Sequence, residues 1–239
     1  MVNCIIKAYT RQGSGRDKNE DACGIAEKFL FGKNKNSLEL HVDTTTLPIL
    51  LTLADGMGGH DRGDVASKAT VQHLSKLFDM HKDNFSVDTA IQSAHKEIIN
   101  LDSQNQKPRA MGTTLVGGIL YENMCHIFNV GDSRAYLLAG KILKKLSTDD
   151  VYPGQRNNAI TQCIGGGNPT NPKPHTLKQK VQSDENLIFV SDGITDTVND
   201  DILREMLLDQ APEVNENICN KATDLGGGDD ASIIVCHFH

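Results

Sequence analysis

The sequence predicts an α+β fold built in layers. Short segments that are apolar or alternate in polarity, rich in β-branched residues, recur along the chain and read as strands. Four other stretches repeat apolar residues at spacings of three and four and read as helices. Strands and helices come in runs and do not alternate singly, which favours layered α+β packing over a doubly wound parallel sheet.

Cys4–Tyr9, Leu38–Val42 and Ile49–Leu53 are predicted strands. Arg62 to Lys82 is a predicted helix, with Val71, Leu74, Leu77 and Phe78 on its apolar face. A second helix starts at Ser86, a side chain suited to an N-cap, and runs to Asp102 with Ile91, Ala94, Ile98 and Leu101 inward. Gln104–Arg109 is polar, carries Pro108, and reads as a loop. Three strands follow at Thr113–Leu120, Met124–Val130 and Arg134–Leu138, the first two joined near Glu122-Asn123. Ala139-Gly140 turns the chain into Lys141–Leu143, and Ser147 to Pro174 is loop-rich. Asn186–Val190 is a strand. Helices follow at Asp200–Leu208 and Pro212–Leu225, the latter with proline in its first turn and Gly226 beyond its end. Ala231–Phe238 is the last strand.

No repeat and no linker divides the 239 residues, so one domain over 1–239 is expected. The 24 Lys and Arg against 31 Asp and Glu give a net charge of −7, which argues against phosphate-neutralising nucleic-acid binding. The longest apolar run, Pro48–Ala54, is far short of a membrane span. The N-terminus lacks a signal-peptide pattern, and Val2 excludes myristoylation. The six cysteines are scattered, with no CxxC pair, as expected for free thiols in a cytoplasmic protein.

The informative residues are the aspartates. Asp55 opens DGMGG and Asp192 opens DGITD, each at the end of a buried strand. Asp132 lies in NVGDSR, Asp229 and Asp230 precede the last strand, and Glu20-Asp21 precedes another apolar segment. Singly, each is an ordinary Asx turn. Five strand ends carrying carboxylates, most beside glycine, point instead to one sheet edge. Two unit charges 4 Å apart repel by about 4 kcal/mol at an effective dielectric of 20, so such a cluster needs cations. All-oxygen donors suit hard ions such as Mg²⁺ or Mn²⁺ rather than Zn²⁺.

The blocks RDKNEDA, LADGMGGH, MGTTLVGG, NVGDSRAYLL, FVSDGITD and GGGDDASIIV resemble, in order, the signature blocks of the metal-dependent protein phosphatases (type-two-C, or PPM), and their bacterial branch in particular. The likeness spans Arg16 to Val235. It implies a four-layer α-β-β-α sandwich, with two central antiparallel β-sheets flanked by helix pairs. It implies a phosphoserine/phosphothreonine protein phosphatase that attacks phosphorus with a water or hydroxide bridging two divalent metals, Mn²⁺ or Mg²⁺. Asp55 would bridge the ions, with Glu20 and the Gly56 carbonyl on one and Asp192 and Asp229 on the other. Asp132, with Asp192, matches positions that hold a third, weaker ion in some members. Asp21 would orient water, and Arg16 would bind the substrate phosphate. The implied partners are a phosphoprotein substrate and a cognate Ser/Thr kinase. No nucleic acid, membrane or second copy is expected, so the chain should be a monomer.

Three features depart from the family pattern. Asp230 stands where asparagine is common, and it would either tighten metal binding or shift ligation by one residue. The flap, about 147–160, is shortened, and Asp150 replaces the usual histidine of the block before it. Met57 occupies the position of a general-acid histidine found in eukaryotic members, leaving metal-bound water as the preferred proton donor and His60 as a weaker one. Two alternatives stay open: a catalytically weak regulator that binds phosphoproteins, and a dinuclear hydrolase of small phosphate esters. His237 and His239 read as a solvent-facing pair.

Overall fold

A computed structural model describes residues 3–32, 36–43, 48–57, 62–104, 110–152, 159–209 and 211–239. In chain order its strands and helices are β1 (Asn3–Arg11), β2 (Asp21–Ile25), β3 (Lys28–Phe31), β4 (Asn36–Asp43), β5 (Ile49–Met57), α1 (Gly63–Met80), α2 (Val87–Ser103), β6 (Gly112–Thr113), β7 (Leu115–Tyr121), β8 (Met124–Val130), β9 (Arg134–Ala139), β10 (Ile142–Lys145), β11 (Ile164–Gly165), β12 (His175–Lys180), β13 (Asn186–Val190), α3 (Asp192–Thr195), α4 (Asp200–Leu208), α5 (Val214–Asp224) and β14 (Ala231–Phe238).

Among the described residues one sheet runs β10-β9-β13-β14-β1-β4. The other runs β11-β6-β5-β7-β8-β12, with β2 and β3 added at β5. All the pairings are antiparallel. Side-chain alternation builds the layers. Cys4, Ile6 and Ala8 of β1, Leu51 and Leu53 of β5, and Ile234, Cys236 and Phe238 of β14 meet between the sheets. The opposite face of β5, through Leu50 and Ala54, packs under Val71 and Leu74 of α1 and Ile91 and Ile98 of α2. The opposite face of β14, through Ile233 and Val235, packs under Leu203 of α4 and Ile218 of α5. The result is the predicted α-β-β-α sandwich. Its central strands are apolar on both faces because both faces are covered.

Met124–Val130, Asn186–Val190, Asp200–Leu208 and Ala231–Phe238 coincide with the expected elements. Ser86 caps α2, its side chain accepting the Thr89 N–H. Other boundaries move. The first long helix starts after Arg62 and stops at Met80, and a separate 3-10 turn takes Lys82–Asn84. Pro212 is not in the first turn of α5: it precedes the N-cap, Glu213. The strand expected over Thr113–Leu120 is broken at Thr114, where the chain leaves β6 for β7. The expected loop 147–174 contains β11, and a Val151–Ile160 bridge closes back on itself. The strand β5 runs two residues past Asp55, because Gly56 and Met57 pair with Thr113 and Gly112. His60 lies outside the described residues.

Candidate active site

The two sheets bring their carboxylates to one edge. In the antiparallel register Asp21 at the start of β2 lies directly opposite Asp55 of β5. Asp192 opens α3 straight after β13, and Asp229-Asp230 lead into β14. Asp132 sits in the turn between β8 and β9.

Hydroxyl and amide side chains hold these residues in place. Ser191 donates to Asp21 Oδ2 at 3.0 Å and accepts the Ser232 N–H at 3.0 Å, tying β2, β13 and β14 together. Asn19 accepts the Asp21 N–H at 2.9 Å and donates to Thr10, which pairs with Ser232 at 2.7 Å. The Asp55 carbonyl receives the Thr114 N–H at 2.9 Å and the Thr113 hydroxyl at 2.8 Å. Gly56 and Gly63 press α1 against this edge. A β-carbon on Gly56 would lie 2.3 Å from the Gly63 carbonyl oxygen, and one on Gly63 would lie 2.7 Å from Glu20 Oε2.

The electrostatics are those of crowded acids. Burial, reinforced by Asp230 and Asp192, pushes the Asp21 carboxyl well up. Burial, with Asp21, Asp192 and Asp229 beside it, does the same for Asp55. Asp192 is raised by burial and by Asp229, although its hydrogen bond with Asp55 pulls it down. Asp132, buried near Asp192, is pushed up to about 7. Among the described residues, Arg16 and Lys18 bring positive charge to these carboxylates. Arg16 Nη2 bonds Asp229 Oδ2 at 2.5 Å, and Nη1 lies 4.0 Å from Glu20. Lys18 reaches Asp64 at 2.6 Å and Glu20 at 3.6 Å.

Asp55 and Asp192 are therefore neighbours of each other and of both Asp21 and Asp229, with Asp132 beside Asp192 and Arg16 on Asp229. Glu20 stands apart, with its carboxylate toward Lys18, Arg16 and Gly63. Among the described residues no three His, Cys, Asp or Glu side chains close on one point at ligand spacing. The donor set nonetheless fits a hard cation. It is all oxygen, and Asp21 Oδ1 and Asp192 Oδ1 are buried with no hydrogen-bond partner.

Asp230, which sequence reasoning left open between two metal roles, is otherwise engaged. Its two oxygens accept the N–H of Gly13 at 2.8 Å and of Glu20 at 2.7 Å. It thereby holds both ends of the loop that carries Arg16. The roles of Ser191, Ser232, Asn19 and Thr10 were missed, because lone hydroxyl and amide residues give no periodic signal.

A family model for protein phosphatase 2C matches residues 37–223. The serine/threonine phosphatase stp of Listeria monocytogenes (strain F2365) is 30% identical over 254 residues, covering 95% of this chain and 92% of its own. Stp1, a serine/threonine phosphatase from Staphylococcus aureus, superposes with a TM-score of 0.80 at 25% identity, over 98% of this chain and 94% of that one. The serine/threonine phosphatase of S. agalactiae shares the fold at a TM-score of 0.81 and 22% identity, over 97% of this chain and 98% of that one. Arriving on a sandwich whose edge gathers aspartates from five strand ends, these likenesses place the chain in the protein phosphatase 2C family.

Proposed function

We propose that this chain is a metal-dependent protein phosphatase that hydrolyses phosphoserine and phosphothreonine on proteins, opposing a Ser/Thr kinase. The observation that carries the reading is the meeting of Asp21, Asp55, Asp192 and Asp229 at one edge, with Arg16 beside them. Asp55 would bridge two ions, with Glu20 and the Gly56 carbonyl on one side and Asp192 and Asp229 on the other. Asp132 with Asp192 would hold a third. When bound, Mn²⁺ or Mg²⁺ lowers the pKa of water toward neutrality and neutralises phosphoryl oxygens.

The chain's own residues do the rest. Asp21, pinned by Ser191, presents its free Oδ1 to orient the attacking water. Arg16, half exposed on Asp229, can turn its planar fork to a phosphate arriving from solvent. A thiol nucleophile has no support. Cys4, Cys23, Cys125, Cys219 and Cys236 are buried. Cys163 is only partly buried, and burial still pushes its pKa up, away from thiolate. The chain would act as one domain.

The test is phosphate release from a phosphothreonine peptide with Mn²⁺, with Mg²⁺ and with chelator. The wild type should turn over with ion only, and Asp192→Asn should lose activity by at least a hundredfold. Equal turnover in chelator, or an active Asp192→Asn protein, would overturn the assignment.

A further inference from the structure

Asp150 occupies an unusual position for a carboxylate. It is 7% exposed, and its carboxylate is held by donors from three other segments of the fold. Its Oδ2 accepts the Gly131 N–H at 2.9 Å, while its own N–H returns a bond to the Gly131 carbonyl at 2.9 Å. Its Oδ1 receives Gln162 Nε2 at 2.9 Å and His175 Nε2 at 2.9 Å. A carboxylate accepts only, so the Nε2 of His175 carries the proton. The Asp150 carbonyl accepts the Thr161 N–H at 2.7 Å, beside the Val151–Ile160 bridge. One side chain thus joins the β8–β9 turn, the base of the short flap and the edge strand β12.

The turn it grips carries Asp132. Gly131 has φ +100, and a β-carbon there would lie 2.8 Å from Thr114 Cγ2, so the turn sits hard against Thr114. Past Asp132, Ser133 pairs with the Thr114 hydroxyl at 2.7 Å, and that hydroxyl oxygen accepts the Asp55 N–H at 3.2 Å. Hydrogen bonds run from His175 and Gln162 to Asp150 and on to Gly131, the backbone of the turn carries the connection through Asp132 to Ser133, and hydrogen bonds resume through Thr114 to Asp55. Nothing in this line depends on the longer flap that the family pattern carries.

We infer that Asp150, oriented by His175 and Gln162, is a positioning residue that sets the Gly131–Ser133 turn and hence Asp132 relative to Asp55. The inference rests on the phosphatase reading for its catalytic consequence. It takes no part in the chemistry itself, since the Asp150 carboxylate faces backbone and side-chain donors.

Three variants test it: Asp150→Ala, His175→Phe and the double variant, with Asp150→Asn as the conservative control. Phosphothreonine-peptide turnover is measured at saturating Mn²⁺, and the Gly131 amide exchange rate is measured by NMR with chelator present. Asp150→Ala should lower kcat at least tenfold with KM within threefold. His175→Phe should lower it less, and the double variant no further than Asp150→Ala alone. Asp150→Asn keeps one acceptor for the Gly131 N–H and should recover most of the loss. The Gly131 amide should exchange at least tenfold faster in Asp150→Ala while amides of β13 stay protected. A kcat within twofold of wild type, additive losses, or faster exchange throughout the protein would overturn the inference. If the wild type releases no phosphate with any ion, the functional reading has failed. The exchange measurement then decides the clamp alone, unchanged Gly131 exchange overturning it and local acceleration upholding it.

Discussion

Replacing Asp230 with alanine removes the acceptor of two backbone N–H groups at once. Those groups belong to Gly13 and Glu20, at 2.8 and 2.7 Å, and Asp230 itself is 2% exposed. Each buried donor left without a partner costs about 1–3 kcal/mol, so the two together cost about 2–6 kcal/mol. Part of this is offset. Burial and Asp229 both push the Asp230 carboxyl up, so removing its charge relieves some unfavourable energy. A net loss of about 2–4 kcal/mol follows, or a fall in Tm of about 4–16 °C for a chain of this size. Water cannot easily enter to compensate, because Gly13 lies against the Asp229 carbonyl, where a β-carbon would sit 2.3 Å from that oxygen. The assay is urea unfolding followed by far-UV circular dichroism in chelator, since the chain has no tryptophan to report by fluorescence. Asp230→Asn keeps one acceptor but turns an NH₂ toward the other amide, and should fall between wild type and Asp230→Ala. A loss below about 0.5 kcal/mol for Asp230→Ala, at unchanged m-value, would refute the clamp.

Arg16 and His95 each carry a further outcome. If Arg16 is the forked donor to phosphate proposed above, Arg16→Ala removes a charge-assisted bond of about 1.5–3 kcal/mol, which corresponds to roughly a 10–150-fold loss in kcat/KM, read on a phosphopeptide. Equal kcat/KM would remove Arg16 from substrate binding. His95 is buried, accepts the Gly165 N–H on Nδ1 at 3.0 Å, and has its pKa lowered by burial. Its folded pKa lies below the unfolded value, so the unfolded chain binds the extra proton first. The stability His95 contributes is complete above about pH 6.5 and declines as pH falls through the folded pKa. His95→Asn keeps an acceptor but cannot titrate, so the stability gap between the two proteins should shrink from pH 7.5 to pH 5. A gap independent of pH would contradict the burial argument.

The central strands were legible because the sandwich buries both of their faces. Leu50 and Leu51 go to opposite layers, and the run of apolar residues that results stands out from its surroundings. Edge strands were not. β12, HTLKQK, is polar and mostly exposed, and its only mark is its register against β8. The four-residue helix α3 is too short to show a period. In the site, glycine beside aspartate marked Asp55, Asp132 and Asp192 from sequence alone. The partners of Asp150 were invisible because Gln162 and His175 come from an irregular stretch and a polar edge strand. The engagement of Asp230 was hidden for a different reason: backbone amides far away in sequence leave no trace in composition.

The pairing of β14 with β1 has a kinetic side. Arg16 and Asp229 are 213 residues apart, and Gly13 and Asp230 are 217 apart, yet each pair is bonded. Closing a loop of that length costs about 5 kcal/mol in chain entropy before either contact forms. Until β14 docks, the first sheet is two unconnected pieces, β10-β9-β13 and β4-β1, and the Arg16 loop has no floor. A nascent chain that still lacks β14 can hold α1, α2 and most of its second sheet, while α4 and α5 lack the face they pack on and no site exists to bind a phosphoprotein. Completion of the fold and onset of activity then become one event, so partly made chains cannot strip phosphate from the proteins around them.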